Sequence, residues 1–268
     1  MKQKPPHNLL SVDFDYFFPD LFNFDWGSME TPFHIRHLWP FRAGNRNLKT
    51  GEIAIEVVHP DPDLLTHFWD KVLMYNRTTP WMYVISESHL DIYYLLKMVG
   101  PCSITSFDSH HDFFYEDKLE DVETHRIIDC SNWCSSGLSS GLITDYTLYY
   151  PEWRKEHAEG ICREGQWIIE NAKYGLPMYP REYDIVFVCR SGAWTPPWTD
   201  DKWITFVREL KMINPLVWRN KTVLRDSLTP REFDKEKTLE LTKDLEAARK
   251  QLLGHLDIHY LSNEKEKK

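Results

Sequence analysis

The stretch Ser106-Phe-Asp-Ser-His-His-Asp-Phe-Phe-Tyr115, SFDSHHDFFY, sets Asp108, His110 and Asp112 at alternate positions directly after the apolar run CSITSF. In an extended chain, residues i and i+2 face the same way, so a strand end at Asp108 presents Asp108 and His110 together, and Asp112 returns from the loop that follows. Carboxylates brought close to one another repel and are driven to protonate unless a cation neutralises them, and a divalent metal is the usual solution. D-x-H-x-D is short, and alone its default reading is a loop whose charges face water.

The design recurs at two other places. LLSVDFDYFFPD (9–20) points Asp13 and Asp15 to one side of another strand end, with Pro19 and Asp20 closing the turn, and VISESHLD (84–91) places His89 just beyond a third apolar run. The runs at 8–14, 81–87, 102–108 and 183–191 read as buried strands, with 145–150 as a fifth. Helical segments fall between them at 62–75, 90–99 and 200–212, the last with Thr199 as N-cap and acids in its first turn. Strand and helix alternate, which predicts a three-layer αβα fold around a mainly parallel sheet, with ligands outside the carboxyl ends of the strands. Residues 20–56 and 150–181, rich in Trp, Tyr, Pro and Gly, read as long ordered loops of the kind that build pockets. TPRE (229–232) opens a charged, leucine-striped segment expected as a C-terminal surface helix over about 229–255, followed by a short disordered tail. No linker divides the chain, and a single domain over 1–268 is expected.

In such a sheet the strand ends deliver Asp13, Asp15, His89, Asp108, His110 and Asp112 to one edge, enough donors for two ions. Carboxylates with two imidazoles and no thiolate suit Mn²⁺ better than a structural Zn²⁺ site, although softness leaves Zn²⁺, Fe²⁺ and Co²⁺ open. Two ions bridged by carboxylates would lower the pKa of a shared water, so metal-assisted hydrolysis is the leading reaction class.

Composition bounds the partners. The chain has 268 residues, a formal charge of −9, 42% hydrophobic residues and 14% aromatic residues. That balance argues against a general nucleic-acid binder and favours attraction of a cationic substrate. Cys102, Cys130, Cys134, Cys162 and Cys189 form no C-x-x-C pair, and an odd count suits reduced thiols in a cytoplasmic protein. No segment approaches the ~18 apolar residues that span a bilayer.

The trio SHLD, DSHHD and SVDFDYFFP resembles the three metal motifs of the ureohydrolases, arginase and its relatives, whose forms are roughly G-G-D-H-S, D-A-H-x-D and S-x-D-x-D-x-x-x-P. The resemblance implies one manganese held by His89, Asp108, Asp112 and Asp13, and another by Asp108, His110, Asp13 and Asp15, with Asp112 also relaying protons. It implies hydrolysis of a guanidinium group to urea and an amine. The S-x-D-x-D element opens this chain, whereas in ordinary arginases it follows the other two, and SESH lacks the paired glycines and the aspartate of its motif. The segment with which arginases grip free arginine is replaced by CSNWCSSG, where Ser131 and Asn132 are the substrate-binding candidates. His111 and His125 are the candidate catalytic histidines. Loss of the free-amino-acid grip makes the pattern similar to the divergent arginase-like branch that includes peptide arginases, which turn arginine side chains of ribosomally made peptides into ornithine. The partner implied is an arginine-containing precursor peptide.

Three other readings compete. The D-x-D at Asp13 also resembles the haloacid-dehalogenase-type phosphatases, but their later acidic pair on a strand end is missing and DSHHD would serve no purpose. A zinc-dependent deacetylase of the same fold keeps one metal, whereas both halves of a two-metal set are present here. A silent, metal-stabilised peptide-binding module would retain the same ligands. Arg190, leaving the last strand in RSGAWTPPW, is either a contact to a peptide or a salt-bridge partner of an acid, the second being the commoner role.

Overall fold

The computed structural model describes residues 6–24, 30–47, 50–73, 80–115, 127–157, 159–177, 181–213, 221–223, 227–244 and 247–248. Its centre is β1 (His7–Asp13), flanked by β3 (Cys102–Phe107) and β6 (Ile185–Cys189). Outward from β6 lie β2 (Met82–Ser86) and β7 (Lys221–Val223); outward from β3 lie β4 (Ile143–Tyr150) and the two-residue β5 (Lys173–Tyr174). All six pairings of this sheet, ordered β5-β4-β3-β1-β6-β2-β7, are parallel.

Alternate residues of the central strands enter different cores, which explains their largely apolar character. Leu10, Val12, Ile85, Val186 and Val188 join one core with Phe14, Phe17, Phe68, Trp203 and Phe206. On that face pack α4 (Pro62–Leu73) and α8 (Asp200–Ile213). Leu9, Val84, Ile104, Ile185, Phe187 and Cys189 join the other core, covered by α5 (Asp91–Val99) and α6 (Trp133–Ser139). The molecule is therefore a three-layer αβα structure, as the alternation of strand and helix predicts. Among the described residues no helix is long and apolar enough to cross a membrane, and all five cysteines are free and buried.

The two long regions expected as loops contain short regular elements. Between 20 and 56 lie α1 (Pro32–His37), α2 (Trp39–Arg42) and α3 (Ala54–Val57). Thr31 Oγ1 accepts the His34 amide at 3.3 Å and Pro32 occupies the first turn, a start signal hidden among Trp and Pro residues. Between 150 and 181 lie α7 (Gln166–Glu170) and the edge strand β5.

The C-terminal helix also departs from expectation. It is helical over 235–244, here α9, and starts five residues later than the TPRE signal predicts. Asp234, not Thr229, supplies the cap, accepting the Lys237 amide at 2.9 Å. The intervening residues are held elsewhere: the Thr229 carbonyl accepts from Arg190, and the Arg231 amide and guanidinium both bind Asp200. Of the leucine stripe, Leu239 packs against Ala43, Ile53 and Ile55, while Leu241 is exposed. Residues 251–268, including the expected tail, lie outside the described residues.

Candidate metal centre

The carboxyl ends of β1, β2 and β3 bring the six expected residues together. β1 stops at Asp13, whose Oδ1 accepts the Asp15 amide at 3.1 Å and folds Phe14–Phe17 into a 3₁₀ turn. Asp15 therefore reaches the cluster through a turn, not by the pleat of a continuing strand. β3 likewise stops at Phe107, and Asp108 Oδ1 accepts the His110 amide at 2.8 Å. The spacing D-x-D and D-x-H is that of a side chain bonding the backbone two residues on, a device that Asp favours at turns.

His89 arrives differently. β6 lies between β1 and β2, so the exit of β2 must cross it. The His89 ring stacks on Phe187 of β6 with planes 9° apart, and lies 4.8 Å from the Trp133 ring. Its Nε2 is 2.8 Å from Ser11 Oγ on β1. Nδ1 then faces Asp112 Oδ2 at 2.8 Å, Asp108 Oδ2 at 3.0 Å and Asp13 Oδ2 at 3.3 Å. Beside it, His110 Nδ1 is 2.8 Å from Asp15 Oδ2.

All six are buried, Asp15 and Asp108 completely, while Asp112 and His110 keep 6% and 8% of their surface open to solvent. Asp112 and His110 are thus the least buried members of the cluster. Burial and the neighbouring Asp15 raise the Asp13 carboxyl to about 6 despite the opposing pull of His89 and Ser191. Burial, with Asp112, Asp15 and Asp13 beside it, holds Asp108 well above the usual carboxylate range. Burial works in the same direction on Asp15, but His110 and Ser109 outweigh it and keep that carboxyl low. His89 is pushed well above its ordinary value, the carboxylates of Asp108, Asp112 and Asp13 overcoming desolvation. Without a cation, the surroundings thus favour the protonated forms of Asp13, Asp108 and His89.

Two observations test whether a cation fits better. Asp13, His89 and Asp108 form one group, and Asp15, Asp108 and His110 a second; within each, the donor atoms lie within 4.8 Å of one another. Asp108 is common to both. In addition, Asp108 Oδ2 and His89 Nδ1 are buried without a properly directed hydrogen bond, although oxygens surround Nδ1. An imidazole carries at most one proton on Nδ1 and can aim it at one acceptor, whereas a cation accepts all of these lone pairs at once. These residues can hold a metal ion.

Several residues with no marker in the motifs support the cluster. Trp133 Nε1 donates to Asp112 Oδ2 at 2.6 Å, and Ser191 Oγ donates to Asp13 Oδ2. Glu30 comes in from the long 20–56 region and accepts the His89 amide at 2.8 Å; burial and Asp13 raise its carboxyl to about 8. Trp194 lies 4.5 Å from the His110 ring. Ser11, inside S-V-D-F-D, Trp133, inside SNW, and Ser191 and Trp194, inside RSGAWTPPW, sat in segments that the sequence singled out, whereas Glu30 sat only in the long 20–56 region. Asp112, Phe114 and Ser191 are the non-glycine residues with positive φ among those described, at 52°, 134° and 48°. All three lie in the loops that frame the cluster, where backbone strain is maintained by surrounding contacts.

The remaining candidates are placed as follows. His111 turns away: its Nε2 is 2.7 Å from the Gly160 carbonyl and its Nδ1 accepts the Phe113 amide, so both ring nitrogens brace the loop. His125 lies outside the described residues. Ser131 donates from Oγ and its amide to Asp129, and Asn132 bonds Ile127 and Asp129, so these side chains are spent on the turn that starts α6. That turn does bring Trp133 to the cluster. Arg190 is buried in ion pairs with Glu87 and Asp200. Its guanidinium is thus engaged in the salt-bridge role.

Comparison with family models, with curated protein sequences and with solved structures returned no match.

Proposed function

We propose that the chain is a dimanganese hydrolase that cleaves the guanidinium of arginine side chains in a precursor peptide, giving ornithine and urea. The observation that carries this reading is the pair of overlapping Asp/His groups sharing Asp108 at the carboxyl ends of β1, β2 and β3. Bound divalent ions would supply a water of lowered pKa as the nucleophile for the guanidinium carbon. The chain's own residues prepare that chemistry. Ser11 at Nε2 leaves His89 Nδ1 turned inward, Ser191 and the Asp15 amide fix Asp13, and Trp133 fixes Asp112. Such supporting partners orient ligands and set their basicity. Asp112, one of the two least buried members, would pass a proton between the cluster and water. The acidic balance of the chain favours approach of a cationic side chain.

A single-zinc deacetylase-like hydrolase would need only one of the two groups, and the completeness of the second favours the two-ion reading. The test is elemental analysis of the purified protein, then urea and ornithine measurement with manganese on free arginine, agmatine and an arginine-containing peptide. About two manganese ions per chain with ornithine formed only in the peptide is the expected result. One zinc without urea, or no metal at all, would sink the proposal.

A further inference from the structure

The amino ends of β1, β6 and β2, neighbours in the sheet, meet the last turn of α5 around a cavity of about 680 Å³ lined by His7, Trp81, Met82, Met98, Val99 and Asp184. It lies at the edge of the sheet opposite the candidate centre: His7 opens β1 and Asp13 closes it, roughly 20 Å apart at the rise of an extended chain. Asp184 is fixed there by its backbone, the amide donating to the Asn8 carbonyl at 2.8 Å and the carbonyl accepting the Trp81 amide at 2.9 Å. Its carboxylate is the one acid of this lining, which holds no Lys or Arg. Oδ2 accepts the Asn8 amide at 2.9 Å, whereas Oδ1 has no hydrogen bond or ion pair among the described residues. His7 Nδ1 stays 3.8 Å from Oδ2, beyond hydrogen-bond reach, and its ring meets Trp81 in a T-shaped contact with centroids 5.5 Å apart. The Trp81 side chain is 42% exposed. Lys97, the basic residue in the last turn of α5, lies over the Tyr93 ring at 4.8 Å.

We propose that this cavity binds a small organic cation with an apolar body, of the alkylammonium class. Its volume is that of a small-molecule site, and walls that are apolar apart from a few polar groups are the usual composition of one. Three features select the charge. The Asp184 carboxylate repels anions and keeps one oxygen for a cation. α5 ends in the wall at Met98 and Val99, and the carbonyl end of a helix carries partial negative charge that favours cations. The indole of Trp81 and the thioethers of Met82 and Met98 are polarisable surfaces, and an aromatic face attracts ammonium groups. A neutral apolar molecule would cover the carboxylate without pairing it, which costs free energy.

The site is independent of the chemistry proposed above, and its test involves no turnover. Benzyltrimethylammonium is titrated into full-length protein labelled with ¹³C at the methionine methyls, followed by calorimetry and methyl spectra, alongside neutral benzyl alcohol and anionic phenylacetate. Expected is saturable binding of the cation that shifts the Met82 and Met98 methyl signals, assigned through Met82→Leu and Met98→Leu. Binding should weaken about three- to tenfold in Asp184→Asn and in Trp81→Leu. Asp13→Asn leaves it unchanged. Asp184→Asn keeps an oxygen for the Asn8 amide and Trp81→Leu keeps an apolar wall, so an unaltered melting temperature separates a lost site from a lost fold. No saturable binding of the cation, equal affinity for phenylacetate or benzyl alcohol, methyl shifts confined to methionines other than Met82 and Met98, or binding indifferent to either variant would each overturn the proposal.

Discussion

Asp13 is held against its own preference: burial and Asp15 lift its carboxyl to about 6, while Ser191 and His89 keep it in place. In metal-free protein, Asp13→Asn should therefore stabilise the fold near pH 8 by on the order of 1–3 kcal/mol, because the ionised carboxylate is the disfavoured form there. If the cluster binds Mn²⁺ as proposed, the metal should raise the melting temperature, and the same substitution should abolish that rise. Thermal melts with EDTA and with Mn²⁺ check both signs, and a destabilised apo variant would contradict the electrostatic account. Ser11→Ala and Trp133→Phe touch no expected ligand position but release the rings and carboxylates that they orient. Each should weaken Mn²⁺ binding about 10–100-fold by titration while the fold persists. A change smaller than threefold would show that His89 and Asp112 are oriented by packing alone.

The exits of β2 and β6 and the start of α8 are joined by buried charges. Asp200 receives Arg190 at 3.1 Å and Arg231 through two nitrogens, and Arg190 also meets Glu87. This network fixes the segment before α9 against the body of the protein and positions the 191–193 turn beside Asp13. Removing one member leaves the others buried and uncompensated, which costs more than the pair itself contributes. Asp200→Asn should destabilise by about 3–5 kcal/mol in urea unfolding. A loss below 1 kcal/mol would mean that water reaches Arg190 and Arg231 easily. The network also accounts for the misplaced helix start, since a local TPRE capping signal is outweighed by two long-range contacts of Arg231 and Thr229.

Across the whole molecule, the parallel sheet collects its strand ends on one edge and the charge gathered there makes stability depend on pH. Asp13 and Glu30 have folded values of about 6 and about 8, above their ordinary 3.8 and 4.5. The native state thus holds these protons more tightly than the unfolded chain. Their stabilising contribution is complete below about pH 4 and is lost as pH rises to about 8. Metal-free protein should show a melting temperature that falls across this window. With Mn²⁺ the trend should reverse, because the ion competes with the protons and its stabilising effect grows as they leave. Differential scanning fluorimetry from pH 4.5 to 8.5 measures both curves, and a pH-independent Mn²⁺ effect would exclude these carboxylates as the binding groups.

The parallel three-layer core could be read from residues alone, because strands covered on both faces are largely apolar, a mark clearest in β2 and β6, present in the inner residues of β1 and β3, and weakest in β4 with its Thr144, Asp145 and Thr147. The acidic and imidazole residues of the candidate centre were equally visible, since such groups directly after apolar strands have few inexpensive places to go. Edge strands β5 and β7 were not, being too short to show a pattern. Nor was the arrangement of the centre: local sequence placed Asp15 and His110 on extended strands, whereas side-chain-to-backbone bonds two residues apart turn them inward. Glu30 and Ser191 reach the cluster from 59 and 178 positions away from their partners His89 and Asp13, and His89 crosses a strand that the chain has yet to form. Those positions follow from which elements pack together, and packing is set by contacts between residues far apart in the chain, which no local pattern encodes.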